Sequence, residues 1–183
     1  MSRKIYKQTP TGARRRLLAG ALLFVSSIGL ADAETVLITG ANRGLGLEFA
    51  RQYAADGWTV IGTARRPEAA EELRALEVRV VQLDVTDQAS VDRLAEELQG
   101  QAIDLLINNA GILPRADSVT TLDIDVFRRV LEVNTTGLVR VTQALLPHVR
   151  RGSGQKIINI TSQLGSIGNN SGGRFYGYRE SKA

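Results

Sequence analysis

The sequence predicts an α/β fold, in which helices cover both faces of a doubly wound parallel sheet. Three observations predict it. Short apolar segments alternate with helix-like segments from residue 34 onward, a glycine-rich turn follows the first strand, and large apolar residues dominate segment 103–107. Strands that alternate with helices are joined by right-handed crossovers and lie parallel. An apolar strand is expected where both faces of a sheet are covered. The predicted architecture is therefore Rossmann-like.

The first five predicted elements have the order βαβαβ. An apolar run predicts a strand over 34–39, and apolar residues at helical spacing predict a helix over 45–55. A segment rich in β-branched and aromatic residues predicts a strand over 58–64. The polar face of segment 68–76 predicts a surface helix, and the valine-rich run after it predicts a strand over 78–83.

The remaining elements continue this alternation. Apolar residues three and four apart predict a helix over 88–98, and segment 103–107 predicts a buried strand. A long helix is predicted over about 125–149, with a proline near its end, followed by a strand over 156–160. The last helix is predicted to begin near Arg174 and to continue to Ala183. The glycine-rich stretch before it predicts a loop beside the site.

Residues 1–33 have the features of a secretory signal peptide. Basic residues extend to Arg16, an uncharged run covers 17–30, and Ala31-Asp32-Ala33 matches a small-residue cleavage site. The uncharged run is short for a membrane span. We predict cleavage after Ala33, no stable membrane span afterwards, and an exported or periplasmic protein. An uncleaved form would be cytoplasmic or membrane-anchored. Residues 34–183 are predicted to form a single dinucleotide-binding and catalytic domain.

Charge and cysteine content exclude several kinds of partner. The chain has a net charge of +4, but its first 33 residues hold six of the 23 basic residues and one of the 19 acidic residues. The predicted domain therefore has no basic excess, and no nucleic-acid partner is expected. The chain has no cysteine and one histidine. Disulfides and cysteine metal sites are excluded, and no dedicated metal site is expected.

A glycine-rich turn joins the first strand to the first helix. The sequence Thr39-Gly-Ala-Asn-Arg-Gly-Leu-Gly46 spaces three glycines so that the backbone can turn tightly and approach a pyrophosphate. The free N–H groups and the dipole of the helix N-terminus would stabilise that anion. The plainer alternative is a tight connection between strand and helix. Its position at the first such turn of the alternating series favours a nucleotide site.

The end of the second strand predicts which dinucleotide binds. NAD sites usually have an acidic residue there, whereas this chain has Arg65 and Arg66, with Arg43 in the glycine-rich turn. Guanidinium groups are well matched to a phosphate dianion, so the arginines predict NADP, with NAD as the alternative. The competing interpretation is that these arginines are solvated surface residues.

Tyr178 lies four residues before Lys182, which places the phenol and the ammonium on one face of the predicted last helix. A nearby cation favours the phenolate, so the pair can carry out proton transfer at neutral pH. Tyr176 is the competing tyrosine, but the residue four positions after it is Glu180, which would oppose the phenolate. Tyr178 is therefore the predicted catalytic tyrosine.

The chain resembles the short-chain dehydrogenase/reductase family over residues 34–183, and within it the C-factor and sniffer-type carbonyl reductases. The resemblance rests on the turn Thr39–Gly46, Asn-Asn-Ala-Gly at 108–111, Asn134 in the long helix, Ser162 after the fifth strand, and Tyr178 with Lys182. It implies that Tyr178 is the general acid or base, that Lys182 assists Tyr178 and binds the nicotinamide ribose, and that Ser162 orients the carbonyl. Asn134 would hold a water linked to Lys182.

The resemblance and the residue arguments together predict one cofactor site. The predicted cofactor-binding residues are Gly40, Asn42, Arg43, Gly44, Leu45, Gly46, Arg65, Asp84, Val85, Asn109, Ala110, Gly111, Tyr178 and Lys182. The resemblance assigns Asp84 to the adenine. Two catalytic assignments have plainer alternatives: Ser162 could cap a turn at the end of a strand, and Asn134 could be a hydrogen-bonded polar residue of the core.

The predicted function is hydride transfer between NADP(H) and a small carbonyl or alcohol substrate. The alternative is a nucleotide-binding, non-catalytic relative that acts through partner contacts. Because family members continue beyond Lys182 with further strands, we expect that the last strands are missing and that the chain is a fragment of a longer protein. By family analogy, the full-length protein would be a homo-oligomer.

Overall fold

A computed structural model describes residues 33–115 and 118–183. The predicted signal peptide lies outside these residues, apart from Ala33, and stays a prediction. Within the described residues, no helix has both the length and the apolar character needed to cross a membrane.

The described residues contain one sheet of five parallel strands, as predicted. The strands are β1 (Thr35–Ile38), β2 (Thr59–Ala64), β3 (Arg79–Gln82), β4 (Leu105–Asn108) and β5 (Lys156–Asn159). Their order across the sheet is β3-β2-β1-β4-β5, with every neighbouring pair parallel. The direction of winding reverses between β1 and β4. In such folds a ligand site is expected at the carboxyl ends of the strands next to this point.

The helices differ from the prediction at three places. The described helices are α1 (Gly44–Ala55), α2 (Glu71–Arg74), α3 (Gln88–Glu97), α4 (Ile124–Leu131), α5 (Gly137–Val149) and α6 (Tyr178–Lys182). The predicted helix over 68–76 is a 3₁₀ turn followed by the short α2. The predicted helix over 125–149 is interrupted by the π-helical turn Glu132–Thr136.

The last helix begins at Tyr178, so its predicted start near Arg174 is wrong. Arg174 and Phe175 have φ angles of 61° and 56°, and Gly177 has 77°. A right-handed helix cannot pass through residues in the left-handed region. Phe127 of α4 packs against Gly177, where an added Cβ would lie 3.1 Å from the Phe127 ring. Tertiary packing, not local propensity, therefore fixes where α6 starts.

Alternate side chains of the strands pack into two apolar layers, one on each face of the sheet. In β1, Leu37 packs into one layer, while Val36 and Ile38 pack into the other. The first layer joins the sheet to residues of α3 and α5, including Val91, Leu94, Val141 and Leu145. The second joins it to Leu47, Ala50 and Leu73 of α1 and α2. The central strands are apolar because both faces are covered.

Asp104 ties the amino ends of the strands together. Its carboxylate is buried and accepts hydrogen bonds from Thr35 N (2.7 Å), Ser153 N (2.6 Å), Ser153 Oγ (2.8 Å) and Gly154 N (3.3 Å). These donors come from the start of β1 and from the turn before β5. The backbone of Asp104 also accepts from Lys156 N at 3.1 Å. The strands β1, β4 and β5 are thereby held in register at the end opposite their carboxyl ends.

Candidate active site

The glycine-rich turn is shaped by close backbone contacts. Gly40 and Gly44 have φ angles of 66° and 57°, which side-chain-bearing residues rarely adopt. Gly46 is buried, and a Cβ there would lie 2.5 Å from Asn109 Nδ2 and 3.1 Å from Ala41 Cα. The turn therefore brings the backbone to the N-terminus of α1 without side chains in between, as an anion site at a helix N-terminus requires.

Hydrogen bonds join this turn to the loop after β4. Thr39 Oγ1 accepts from Asn109 N at 2.9 Å and from Ala110 N at 3.0 Å. In return, Asn109 Nδ2 donates to Thr39 O at 3.0 Å and to Gly40 O at 3.1 Å. The two loops on either side of the β1–β4 switch point are thus fixed relative to each other.

A cleft of about 530 Å³ opens at the carboxyl ends of β1 to β4. Its lining residues are Gly40, Asn42, Arg43, Gly44, Leu45, Ala64, Arg65, Leu83, Asp84, Val85, Asn109, Ala110, Gly111, Ile112, Arg129 and Val133. The structure thus brings together all predicted cofactor-binding residues except Gly46, which lies in the packing beneath, and Tyr178 and Lys182.

Sequence reasoning missed several residues of this cleft. The missed residues are Ala64, Leu83, Ile112, Arg129 and Val133. A signal for two of them was available, because Arg129 and Val133 are four residues apart and share a helix face that leads to Asn134. Ile112 directly follows the Asn-Asn-Ala-Gly motif.

The end of the cleft next to β2 is positively charged. Arg43 and Arg65 line it and are exposed, and their guanidinium groups form no hydrogen bond or ion pair with any described residue. Asp84 is the one acidic residue among the described residues that line the cleft, and it follows β3 rather than β2. The two guanidinium groups are therefore available to an anion at this end.

Asp84 is held at the cleft by local hydrogen bonds. Its backbone N–H donates to Ser90 Oγ at 2.9 Å, and its Oδ1 accepts from Thr86 N at 2.9 Å and Thr86 Oγ1 at 2.7 Å. Partial burial alone would raise the pKa of Asp84. The Thr86 hydrogen bonds, together with the charges of Arg129 and Arg65, outweigh it and hold the pKa below its ordinary value.

Asn134 lies in the π-helical turn Glu132–Thr136 and is 2% exposed. Its Oδ1 accepts from Ile112 N at 2.8 Å, and its Nδ2 donates to Ile112 O at 3.0 Å and to Ser181 Oγ at 2.9 Å. Ser181 Oγ in turn donates to Tyr178 O at 2.8 Å. The Asn134 side chain therefore connects the loop after β4 to α6, and π-helical turns often occur at functional sites.

Lys182 is held on the other side of α6 by the segment after β5. Its Nζ donates to Ile160 O at 2.6 Å, and its carbonyl accepts from Thr161 Oγ1 at 2.7 Å. Partial burial of the ammonium lowers the pKa of Lys182. The lysine is thus fixed beside the end of β5, one strand away from the cleft edge at β4.

The structure does not join all four predicted catalytic side chains by hydrogen bonds. Ser162 Oγ accepts from Leu164 N at 3.2 Å and caps a 3₁₀ turn, the plainer role considered for it. Among the described residues, the Tyr178 phenol has no hydrogen-bond partner. The four residues lie on segments that contact one another around α6, but none of them lines the 530 Å³ cleft.

Comparison with protein families identifies the chain. The family model described as short chain dehydrogenase matches residues 34–183. The chain belongs to the short-chain dehydrogenase family. The sequence-based resemblance and the predicted fold are both confirmed.

Named relatives and solved structures agree with this assignment. The 1-hydroxy-2-glutathionyl-2-methyl-3-butene dehydrogenase of Rhodococcus sp. (strain AD45) is 38% identical over 152 residues, covering 81% of this chain and 65% of that protein. The carbonyl reductase Sniffer of D. melanogaster has a TM-score of 0.74 at 31% identity, covering 82% of this chain and 70% of that one. The NADPH bound carbonyl reductase from chicken fatty liver has a TM-score of 0.75 at 35% identity, covering 82% of this chain and 69% of that one.

The match to curated relatives is partial in length. Alignments to three of these relatives cover 51%, 65% and 54% of the relatives' own lengths. The chain therefore spans about half to two thirds of the length of the curated relatives that it matches.

Proposed function

We propose that this short-chain dehydrogenase transfers hydride between NADP(H) and a small carbonyl or alcohol substrate. The observation that carries the proposal is the cleft at the carboxyl ends of the strands. Two exposed arginines line this cleft: Arg43 belongs to the glycine-rich turn, and Arg65 directly follows β2. A Rossmann-like domain binds dinucleotides at this position.

The residues of the cleft fit a phosphorylated dinucleotide. At Gly40 an added Cβ would lie 3.0 Å from Ala110 Cα, so this position has no room for a side chain. The surface that a pyrophosphate would contact there is therefore formed by backbone. Arg43 and Arg65 would hold a 2′-phosphate by charge-assisted hydrogen bonds. Bound NADP(H) would supply or accept the hydride.

The side chains around α6 would move the proton. In the proposed mechanism, the Tyr178 phenol protonates the carbonyl oxygen in the reduction and removes the hydroxyl proton in the reverse direction. The Lys182 ammonium favours the phenolate by its charge. The Ser162 hydroxyl accepts from Leu164 N and would donate its own proton to the substrate carbonyl to orient it, while Asn134 keeps α6 against the loop after β4.

The names of the similar proteins support this proposal. One solved neighbour is described as an NADPH bound carbonyl reductase, another as a carbonyl reductase, and a curated relative as a dehydrogenase. Their substrates differ, so we propose the reaction class without naming a substrate.

Cofactor preference tests the first half of the proposal. NADPH and NADH would be titrated against the protein, with nicotinamide fluorescence as the readout. We expect tighter binding of NADPH, and we expect the variant carrying both Arg43→Ala and Arg65→Ala to lose about tenfold or more of that preference. Arg66→Ala is the matched control, since Arg66 neighbours Arg65 but does not line the cleft. Equal affinity for both dinucleotides in the unmodified protein would contradict NADP dependence.

Tyrosine replacement tests the second half. Tyr178→Phe is expected to abolish turnover of carbonyl substrates while NADPH binding is retained, because the substitution removes the proton-donating hydroxyl and keeps the ring. Tyr176→Phe is the matched control and should retain turnover. Unchanged turnover in the Tyr178 variant would overturn the mechanism. NADPH binding without turnover of any carbonyl substrate tested would favour the alternative, a non-catalytic nucleotide-binding relative.

Two further proposals rest on the sequence and the family resemblance. We propose that the protein is exported after cleavage between Ala33 and Glu34, and that the full-length protein is a homo-oligomer. Intact mass of protein from fractionated native cells tests the first proposal, and light scattering tests the second. A cytoplasmic species that retains residues 1–33 would contradict export.

A further inference from the structure

Arg129 reaches the cleft from α4 and contacts the loop after β3. Its Nη1 donates to Thr86 Oγ1 at 3.1 Å, and its side chain lines the cleft together with Asp84. The neighbouring Arg128 behaves differently. Arg128 pairs with Asp125 at 3.3 Å, is 74% exposed, and does not line the cleft. Of these two adjacent arginines, only Arg129 is directed toward the site.

The Thr86 hydroxyl lies between Arg129 and Asp84. It accepts from Arg129 and donates to Asp84 Oδ1 at 2.7 Å. A hydroxyl can accept and donate at the same time, so Thr86 accepts from the guanidinium while its single proton is donated to the carboxylate. The Thr86 backbone N–H donates to the same oxygen at 2.9 Å. Both donors thus converge on Oδ1, while Asp84 Oδ2 has no hydrogen-bond partner among the described residues.

We propose that Arg129 is a positioning residue for base recognition, which acts through Thr86 to fix Asp84 with Oδ2 free to accept from the 6-amino group of adenine. The proposal rests on the proposed function and deepens it. Hypoxanthine carries a carbonyl oxygen at the same position, which would face the carboxylate unfavourably. We call the contacts from Arg129 through Thr86 to Asp84 the relay. The relay predicts that the protein binds an adenine dinucleotide more tightly than its hypoxanthine counterpart. This preference is separate from any electrostatic attraction between Arg129 and phosphate.

The test compares NADPH with its hypoxanthine counterpart, reduced nicotinamide hypoxanthine dinucleotide phosphate. Dissociation constants for both would be measured by nicotinamide fluorescence. One hydrogen bond to a charged acceptor corresponds to about tenfold or more in affinity, so the unmodified protein should prefer NADPH by about that factor. In Arg129→Met this preference should fall to about threefold or less, because the guanidinium then no longer holds the Thr86 side chain in the rotamer that donates to Asp84.

Rescue and control variants separate positioning from loss of charge or of folding. Arg129→Lys retains a donor for Thr86 Oγ1 and should retain most of the preference, as should Thr86→Ser. Thr86→Val should lower the preference as Arg129→Met does, and the double variant should lower it no further, because both changes break one relay. Arg128→Met should leave both dissociation constants unchanged. Thermal unfolding of each variant verifies that it is folded.

The outcomes distinguish this inference from the function on which it rests. If Arg129→Met weakens both dinucleotides by the same factor, Arg129 provides only general electrostatic attraction and the inference is overturned. An undiminished preference in Thr86→Val also overturns it. If the unmodified protein binds neither dinucleotide, the proposed function fails and the inference fails with it.

Discussion

Replacing Asp104 by asparagine should destabilise the protein strongly without altering the candidate site. All four groups that contact the Asp104 carboxylate are donors: Thr35 N, Ser153 N, Ser153 Oγ and Gly154 N. An asparagine side chain has one accepting oxygen, so its NH₂ group would face either Thr35 N or the donors of the turn. The substitution therefore leaves a buried donor unpaired and removes the negative charge from the remaining bonds.

The size of the effect follows from these contacts. One unsatisfied buried donor costs about 1–3 kcal/mol, and each bond that loses its charged acceptor weakens by about 1 kcal/mol. We expect Asp104→Asn to lower the free energy of unfolding by about 4 kcal/mol at neutral pH, a large part of the stability of an ordinary domain. Because Asp104 lies at the opposite end of the strands from the cleft, the dissociation constant for NADPH should be unchanged where the variant is folded.

The pH dependence provides an independent check. The hydrogen bond from Thr35 N, with those from Ser153 and Gly154, outweighs burial and holds the pKa of Asp104 below its ordinary value. A carboxyl with a lowered pKa in the folded state stabilises that state above its unfolded pKa, about 3.9, and this contribution is lost as the pH falls through the folded pKa. The difference between the two proteins should therefore shrink below about pH 4.

Urea unfolding followed by circular dichroism would measure both effects. The matched control is Asp125→Asn, because Asp125 is 90% exposed and pairs only with Arg128 on the surface. That control should change the free energy of unfolding by less than about 0.5 kcal/mol. A loss in Asp104→Asn of less than about 1 kcal/mol, or a loss that is the same at neutral pH and at about pH 3, would contradict the stabilising role assigned to the Asp104 carboxylate.

Two further predictions concern the candidate site. Gly46→Ala should weaken NADPH binding by about tenfold or more, because the new Cβ would lie 2.5 Å from Asn109 Nδ2 and force the glycine-rich turn away from the loop after β4. Gly168→Ala is the control and should leave NADPH binding unchanged, because a Cβ there meets open space. Asn134→Ala should lower the free energy of unfolding by about 2–3 kcal/mol, because Ile112 N and Ile112 O lose their hydrogen-bond partners. A change below about 0.5 kcal/mol in a urea titration would contradict this prediction.

Regular elements and local turns were predictable because their signals are local. The continuous apolar run of β1 and the helical spacing in α3 are properties of consecutive residues, and each predicted range differs from the observed one by at most one residue at either end. The glycine-rich turn was predictable for the same reason, since Gly40 and Gly44 adopt φ angles that favour glycine. The predicted cofactor residues of this turn other than Gly46 line the cleft.

The rest depends on contacts between residues far apart in the chain. The role of Asn134 requires Ile112, 22 residues earlier, and Ser181, 47 residues later. The start of α6 depends on Phe127, and the role of Asp104 depends on donors from two other segments. Arg129 reaches Thr86 across 43 residues. No short stretch of consecutive residues contains both members of any of these pairs.

Short stretches of sequence were sufficient to predict the order of strands and helices along the chain, the position of the glycine-rich turn, and the kinds of side chain available for binding and proton transfer. These follow from periodicity, backbone freedom and side-chain chemistry, which belong to the residues themselves. Long-range packing is needed to explain which of those side chains meet, where α6 begins, and why a carboxylate holds the amino ends of three strands. Such contacts form when the sheet assembles, and their partners are set by its topology.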